Sequence, residues 1–257
     1  MVGGICLFIT ITAALFFNLF ENNISSSKFI IYFLFYLVFF IIGLLDDAKG
    51  LSPKIKTLII TASIIILIPF ESEFLVRELN FKYANRQIFL GNFSFLFTIF
   101  CIFALYNALN FIDGYNGAAT SIIIFWTFVL LIKNPSLLYF LTITTMILIF
   151  FYNIFGKTFL GNSGTSLLSI FFSLSIINDY NIIKILYADE ILLILIFPGL
   201  DMIRVTFERI FNRKKVYNAD KTHFHHYLIK KNINYIWQLI IILTVMPLIL
   251  LYIIKNI

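Results

Sequence analysis

Charge is scarce in this chain. Asp, Glu, Lys and Arg make up 12% of its 257 residues, where a soluble domain carries about a quarter. With 61% hydrophobic residues, that scarcity excludes an ordinary soluble domain. The apolar runs are therefore read as membrane-spanning helices of roughly 17–25 residues. Cysteine is nearly absent too. Cys6 and Cys101 both sit in apolar runs, which excludes a disulfide framework and a thiolate metal site. No basic n-region with a cleavage site marks a secretory signal. No soluble domain, long linker or repeat interrupts the chain, so residues 1–257 are read as a single transmembrane domain. Nothing in it points to nucleic acid.

Phenylalanine is abundant, at 32 residues. Isoleucine, asparagine and lysine are also frequent, a pattern that base composition can impose, so Phe positions receive no functional weight. The net charge of +6 suits anionic lipids or phosphate-bearing substrates as well as a positive-inside bias.

Nine apolar segments can be drawn, at about 2–20, 29–45, 57–70, 93–111, 118–132, 137–155, 166–177, 190–207 and 235–254. The third and seventh are short for a span and are expected to be tilted or extended by their neighbours. The fold class expected is therefore all-α, a polytopic membrane protein of about nine transmembrane helices. The polar turns alternate in character. Those after the second, fourth, sixth and eighth segments are chemically rich, and those between are plain. Alternation puts all four rich turns on one membrane face. Lys and Arg number eleven on that face and seven on the other, which orients it to the cytoplasm.

The turn that stands out is Asn107-Ala-Leu-Asn-Phe-Ile-Asp-Gly-Tyr-Asn-Gly117, with three Asn, one Asp and two Gly in eleven positions. A membrane turn needs far less, and ionisable residues at the membrane are functional-site candidates. Asp46-Asp47 end the second segment. Two adjacent carboxylates repel and are eased by a lysine or a divalent ion. Hard oxygen ligands of this kind suit Mg²⁺, with waters and substrate phosphates completing its shell. Gly161-Asn-Ser-Gly-Thr165 opens the seventh segment. Its amides can bind an anion, but Ser163 or Thr165 acting as a plain N-cap is the commoner arrangement. His223-Phe-His-His226 gathers every histidine, after Asp220 and Lys221 and downstream of Arg213-Lys-Lys215. Imidazoles there can donate to phosphate or relay protons, while no Cys or carboxylate cluster completes a zinc set. Asp201, Arg204 and Glu208 have i,i+3 and i,i+4 spacing and are read as a structural ion network. Pro198-Gly199 is expected to kink the helix that carries them. Carboxylates, amides, glycines, histidines and basic residues on one face suit a soluble phosphate-bearing anion, and the helices suit a hydrophobic co-substrate. Together they describe phosphoryl-type transfer to a lipid.

With those motifs in hand, the chain resembles the polyprenyl-phosphate N-acetylhexosamine-1-phosphate transferases, the bacterial undecaprenyl-phosphate GlcNAc-1-phosphate transferase type in particular. Four ordered motifs carry the resemblance: Asp46-Asp47 with Gly50-Leu51; Asn107, Asn110, Asp113-Gly114 and Gly117; Gly161-Asn-Ser-Gly164; and Asp220, His223-Phe-His-His226. The phospho-N-acetylmuramoyl-pentapeptide transferases of the same family space their histidines differently and are less similar. The resemblance implies attack of undecaprenyl phosphate on the sugar-linked phosphate of a UDP-N-acetylhexosamine, with UMP leaving, as the first step of a surface polysaccharide.

It also implies site roles. Asp46, Asp47, Asp113, His223, His225 and His226 would be catalytic. Asn107, Asn110, Asn116, Gly161, Ser163, Asp220 and Lys221 would bind substrate. Asp47, Asn110 and Asn162 would hold Mg²⁺, with Mn²⁺ as an alternative. The implied setting is the bacterial inner membrane, among membrane lipids, with the site facing the cytoplasm and a homodimer as a further expectation. The chain departs from the family at Asn162 and Asn116, where relatives carry Asp. A helix expected before Gly3-Gly4 is also missing from the pattern. These departures make a catalytically impaired paralogue, binding lipid phosphate or scaffolding an assembly, the rival reading.

Overall fold

The structure is a computed structural model that describes residues 2–113, 116–211 and Tyr252. Nine helices are seen among them: α1 (Val2–Phe20), α2 (Ser26–Lys49), α3 (Pro53–Leu67), α4 (Ser94–Ile112), α5 (Ala118–Lys133), α6 (Leu137–Ile154), α7 (Gly161–Asn178), α8 (Ala188–Ile194) and α9 (Ile196–Phe211). Six helical stretches are long and apolar enough to cross a membrane: Val2–Phe20, Ser26–Lys49, Pro53–Phe70, Gly91–Ile112, Leu137–Ile154 and Gly161–Ile183. The expected all-α membrane architecture is thus what the chain adopts. The short third segment is extended at its start only, by Pro53 of α3 after the Ser52 cap, and ends in a 3-10 turn at Ile68–Phe70. The short seventh is extended at both ends, running from Gly161 into a π-helical turn at Asp179–Ile183. The segment expected at 235–254 lies outside the described residues except for Tyr252.

α7 is the axis of the bundle. Ser163 through Ile177 are all buried, and α1, α2 and α4 pack around them. Large apolar side chains fill part of this core, among them Phe35, Phe39, Phe171 and Phe172, while others face outward, among them Leu58, Leu96, Phe100 and Leu148. The outward set follows from the solvent. Lipid does not reward the burial of apolar surface, so helices associate through small residues that let backbones approach. Ser169 and Ser173 return their hydroxyls to the carbonyls of Ser166 and Ser169, both at 2.7 Å, and so enter the core already paired. At Gly43 of α2 the approach is closest. A Cβ there would stand 2.4 Å from the Asn162 carbonyl oxygen of α7.

The eighth segment does not form one helix. It breaks at Leu195 into α8 and α9. Pro198 has no N–H to give the carbonyl four residues back. That carbonyl, on Ile194, instead accepts the indole N–H of Trp126 at 3.0 Å. The expected kink is therefore a break with its loose carbonyl satisfied from α5. Arg204 bridges Asp201 at 2.7 Å and Glu208 at 3.3 Å, the spacing read from the sequence.

The end of the bundle away from Asp46-Asp47 differs from its sequence reading. Glu71–Asn92, expected as a plain turn, contains an antiparallel hairpin of β1 (Glu78–Phe81) and β2 (Arg86–Phe89), with Glu78 opposite Phe89. Its strands are four residues each, too short to show against the apolar background. The Tyr180 hydroxyl closes the free edge of β1, donating to the Glu78 carbonyl at 3.0 Å and accepting from Asn80 N–H at 2.6 Å.

Candidate active site

Three of the four motif turns meet at the first turn of α7. Asp47, at the end of α2, accepts the backbone N–H of Asn162 at 2.8 Å and that of Ser163 at 3.1 Å, and the Ser163 hydroxyl at 2.8 Å. The residue preceding α7, Leu160, provides no side-chain cap. The helix N-terminus is thus capped from another helix, by a carboxylate that takes the place of a local Ser163 or Thr165 cap. Ser163 and Thr165 are inside the helix and do not cap it, contrary to the commoner arrangement. Gly161 stands at φ 71°, and a Cβ on it would fall 2.8 Å from an Asp47 oxygen. The positive φ and the lack of room both favour glycine.

Asp46 points the other way. It accepts Leu51 N–H at 2.9 Å and the Lys56 ammonium at 2.6 Å. The same ammonium donates to the Asn162 side-chain oxygen at 3.3 Å. On α4, the Asn110 side-chain oxygen accepts the Thr165 hydroxyl at 3.2 Å, and its amide donates to the Tyr106 carbonyl. Asn107 turns its amide back to the Phe103 carbonyl. Asp46, Asp47, Asn110, Asn162, Gly161 and Ser163 thus belong to one connected cluster, while Asn107 lies one turn away along α4. Asn116 lies against the turn between α6 and α7, its amide nitrogen 3.6 Å from where a Gly156 Cβ would be. Buried Asn153 ties the α4–α5 turn to that same turn, accepting Gly117 N–H and donating to the Thr158 carbonyl at 2.8 Å. Asp220, Lys221, His223, His225 and His226 lie outside the described residues. Arg209, just upstream of them, sits over the Phe111 ring of α4 at 5.3 Å.

Asp113 follows the last turn of α4. Withdrawal from water pushes its carboxyl up to about 7, and the nearby Asp47 charge adds to the rise. The donor set fits a hard divalent cation. Two carboxylates close enough to repel, with the Asn110 amide oxygen on the same helix as one of them, are what Mg²⁺ takes when phosphates complete its shell. The Asn162 side-chain oxygen is different, since it already faces an ammonium. Among the described residues, no three His, Cys, Asp or Glu side chains gather into a metal-ligand group.

Lys56, Thr165, Asn153 and Tyr106 were not singled out as site residues from the sequence. A polar residue inside an apolar segment was the available signal for Asn153. Lys56 and Tyr106 gave none, because nothing local says which way α3 and α4 turn them.

Residues 29–179 match glycosyl transferase family 4, and the chain belongs to that family. Relatives named for a particular activity align along most of it. A probable undecaprenyl-phosphate N-acetylglucosaminyl 1-phosphate transferase of Bacillus subtilis (strain 168) is 24% identical, over 94% of this chain and 68% of its own length. The undecaprenyl-phosphate alpha-N-acetylglucosaminyl 1-phosphate transferase of Escherichia coli O157:H7 is 25% identical, over 90% and 65%. That of Thermotoga maritima is 26% identical, over 90% and 68%. The chain thus spans about two thirds of the length of these relatives.

Proposed function

We propose that the chain transfers an N-acetylhexosamine-1-phosphate from a UDP-sugar to undecaprenyl phosphate, releasing UMP, at the cytoplasmic face of a bacterial inner membrane. The observation that carries the reading is the convergence of the Asp46-Asp47, Asn110–Asp113 and Gly161–Thr165 turns on one helix N-terminus. An oxygen of the lipid phosphate attacks the sugar-linked phosphorus. The phosphorus–oxygen bond to UMP breaks as the new one forms, leaving a lipid diphosphate sugar. The acceptor phosphate is largely ionised near neutral pH, so the protein's task is positioning and charge balance.

Asp47, fixed by α7, and Asp113 present the negative charge that would hold Mg²⁺ or Mn²⁺ together with Asn110. The cation would neutralise phosphate charge in the transition state. Lys56 screens Asp46 from the incoming phosphates. The glycine at 161 lets Asp47 reach the α7 amides. Transfer of this kind would begin a surface polysaccharide.

The experiment is a panel of labelled UDP-N-acetylhexosamines incubated with membranes, undecaprenyl phosphate and Mg²⁺. Label appearing in lipid, with loss of that transfer on Asp47→Ala, is the expected result. Transfer by Asp47→Ala at the parental rate would sink the role given to that residue. One observation favours the second reading, a silent paralogue that binds lipid phosphate: the Asn162 oxygen is engaged by Lys56. Asn162→Asp separates the two, because a weakened enzyme gains turnover and a scaffold does not.

A further inference from the structure

Tyr106 has no place in the reading so far. It lies on α4, one turn before Asn110, and is 3% exposed. Its hydroxyl is buried and completes no well-formed hydrogen bond among the described residues, the Lys56 ammonium being the group that interacts with it. Buried hydroxyls are nearly always paired, and an unpaired one calls for an explanation. The Lys56 ammonium stands 5.6 Å from the centre of its ring. A lysine has three protons to give. Two go to Asp46 and Asn162. Among the described residues the third completes no well-formed hydrogen bond, and the Tyr106 hydroxyl, which already interacts with this lysine, is open to it. The ring itself is held edge-on against Phe39, with centroids 6.2 Å apart and planes at 77°. A flexible four-carbon stem moves more easily than a packed ring.

Asp47 accepts the backbone N–H of Asn162, whose side-chain oxygen holds the ammonium, so a divalent cation drawn to Asp47 arrives beside that ammonium. Like charges at that distance repel. We propose that Tyr106 is a positioning residue acting through Lys56: when a divalent cation enters beside Asp47, the ammonium leaves Asn162 and its freed proton goes to the Tyr106 hydroxyl, which keeps the lysine on Asp46. The resident cation is thereby set aside without being expelled, and the Asn162 oxygen is released. The inference rests on the divalent cation of the reading above, and it concerns cation binding alone, without turnover.

The test is Mn²⁺ binding to the purified, detergent-solubilised full chain, followed by loss of the free-ion electron paramagnetic resonance signal. Wild type, Tyr106→Phe, Lys56→Met and the double variant are compared. Tyr106→Phe is expected to weaken binding by roughly three- to tenfold, in line with coupled contacts. Lys56→Met, which removes the competing charge, is expected to tighten binding, and adding Tyr106→Phe to it should change nothing. Lys56→Gln replaces Lys56→Met if that variant does not fold. A purely structural tyrosine predicts otherwise: removing an unpaired hydroxyl leaves binding unchanged and the melting temperature equal or higher. Binding of Mn²⁺ by Tyr106→Phe as tightly as by wild type overturns the proposal, as does equal weakening in both backgrounds. A wild type that binds no Mn²⁺ removes the cation and this inference together. Failure of the labelled-sugar assay with Mn²⁺ binding intact removes only the transferase reading.

Discussion

Both ends of the bundle bury polar and charged groups, and they handle them in opposite ways. At the hairpin end each buried charge has a protein partner. Glu190 is 0% exposed and receives the Lys133 ammonium on both oxygens at 2.9 Å. Asp179, also 0% exposed, receives the Tyr139 hydroxyl and the Asn134 amide, each at 3.0 Å. At the carboxylate end, Asp47 is satisfied by helix amides that a substrate anion would also suit, and Lys56 has a proton to spare. Asp113 stands beside a second carboxylate. One end is closed on itself. The other has capacity left over, and that surplus distinguishes a site from a structural network.

The contrast can be broken by substitution. Asp47→Asn should lower turnover by on the order of a hundredfold or more, as loss of preorganised charge at a reacting centre does. It should shift the melting temperature little, since a helix-terminal anion is worth only about 1–2 kcal/mol. Lys133→Met should do the reverse. Leaving Glu190 buried without its cation costs about 3–5 kcal/mol, seen as a large drop in melting temperature, while the Mn²⁺ affinity of the surviving fold stays at the wild-type value. If both variants lose stability equally, the two ends are not distinct.

Asp113 gives a prediction in pH. Its folded carboxyl titrates near 7 against an ordinary value of 3.8. Between those values the folded state holds a proton that the unfolded state has released. Stability contributed by this group is therefore full below about pH 4 and declines until about pH 7. Asp113→Asn removes the decline, so the variant should gain melting temperature relative to wild type at pH 8 and not at pH 4. An equal difference at both pH values would mean that Asp113 is not perturbed. The smallest effect is expected at the Lys28–Glu73 pair at the hairpin end, which is partly exposed. Glu73→Gln should cost under about 1 kcal/mol. A larger loss would show that this end relies on its surface charges as well as its buried ones.

Much of the carboxylate end could be read in advance because its residues interrupt apolar runs. Asp46-Asp47, the Asn107–Gly117 turn and Gly161–Thr165 declared themselves as departures from background, and alternation of turns put them on one face. Lys56 did not, because a lysine near a helix start is ordinary in any membrane protein. The hairpin end was missed for a related reason. Glu78–Phe81 and Arg86–Phe89 are short, and their polar residues look like any loop. Lys133 and Glu190 are 57 residues apart, and no local pattern joins them. The break between α8 and α9 was legible at Pro198, but its rescue by Trp126 was not, since that partner comes from another helix.

What the sequence determined by itself is composition-driven: a helical membrane bundle and the polar residue types that interrupt it. Those follow from the solvent, because lipid forces backbone groups to pair within a helix and makes each polar residue conspicuous. Only the tertiary structure decided which oxygen meets which donor. It aimed Asp47 at the α7 amides, turned Asp46 and Asn162 onto Lys56, and set the Tyr106 hydroxyl against the same lysine. Those outcomes depend on how closely helices distant in sequence approach, as at Gly43 against Asn162, and periodicity within one helix does not set that distance.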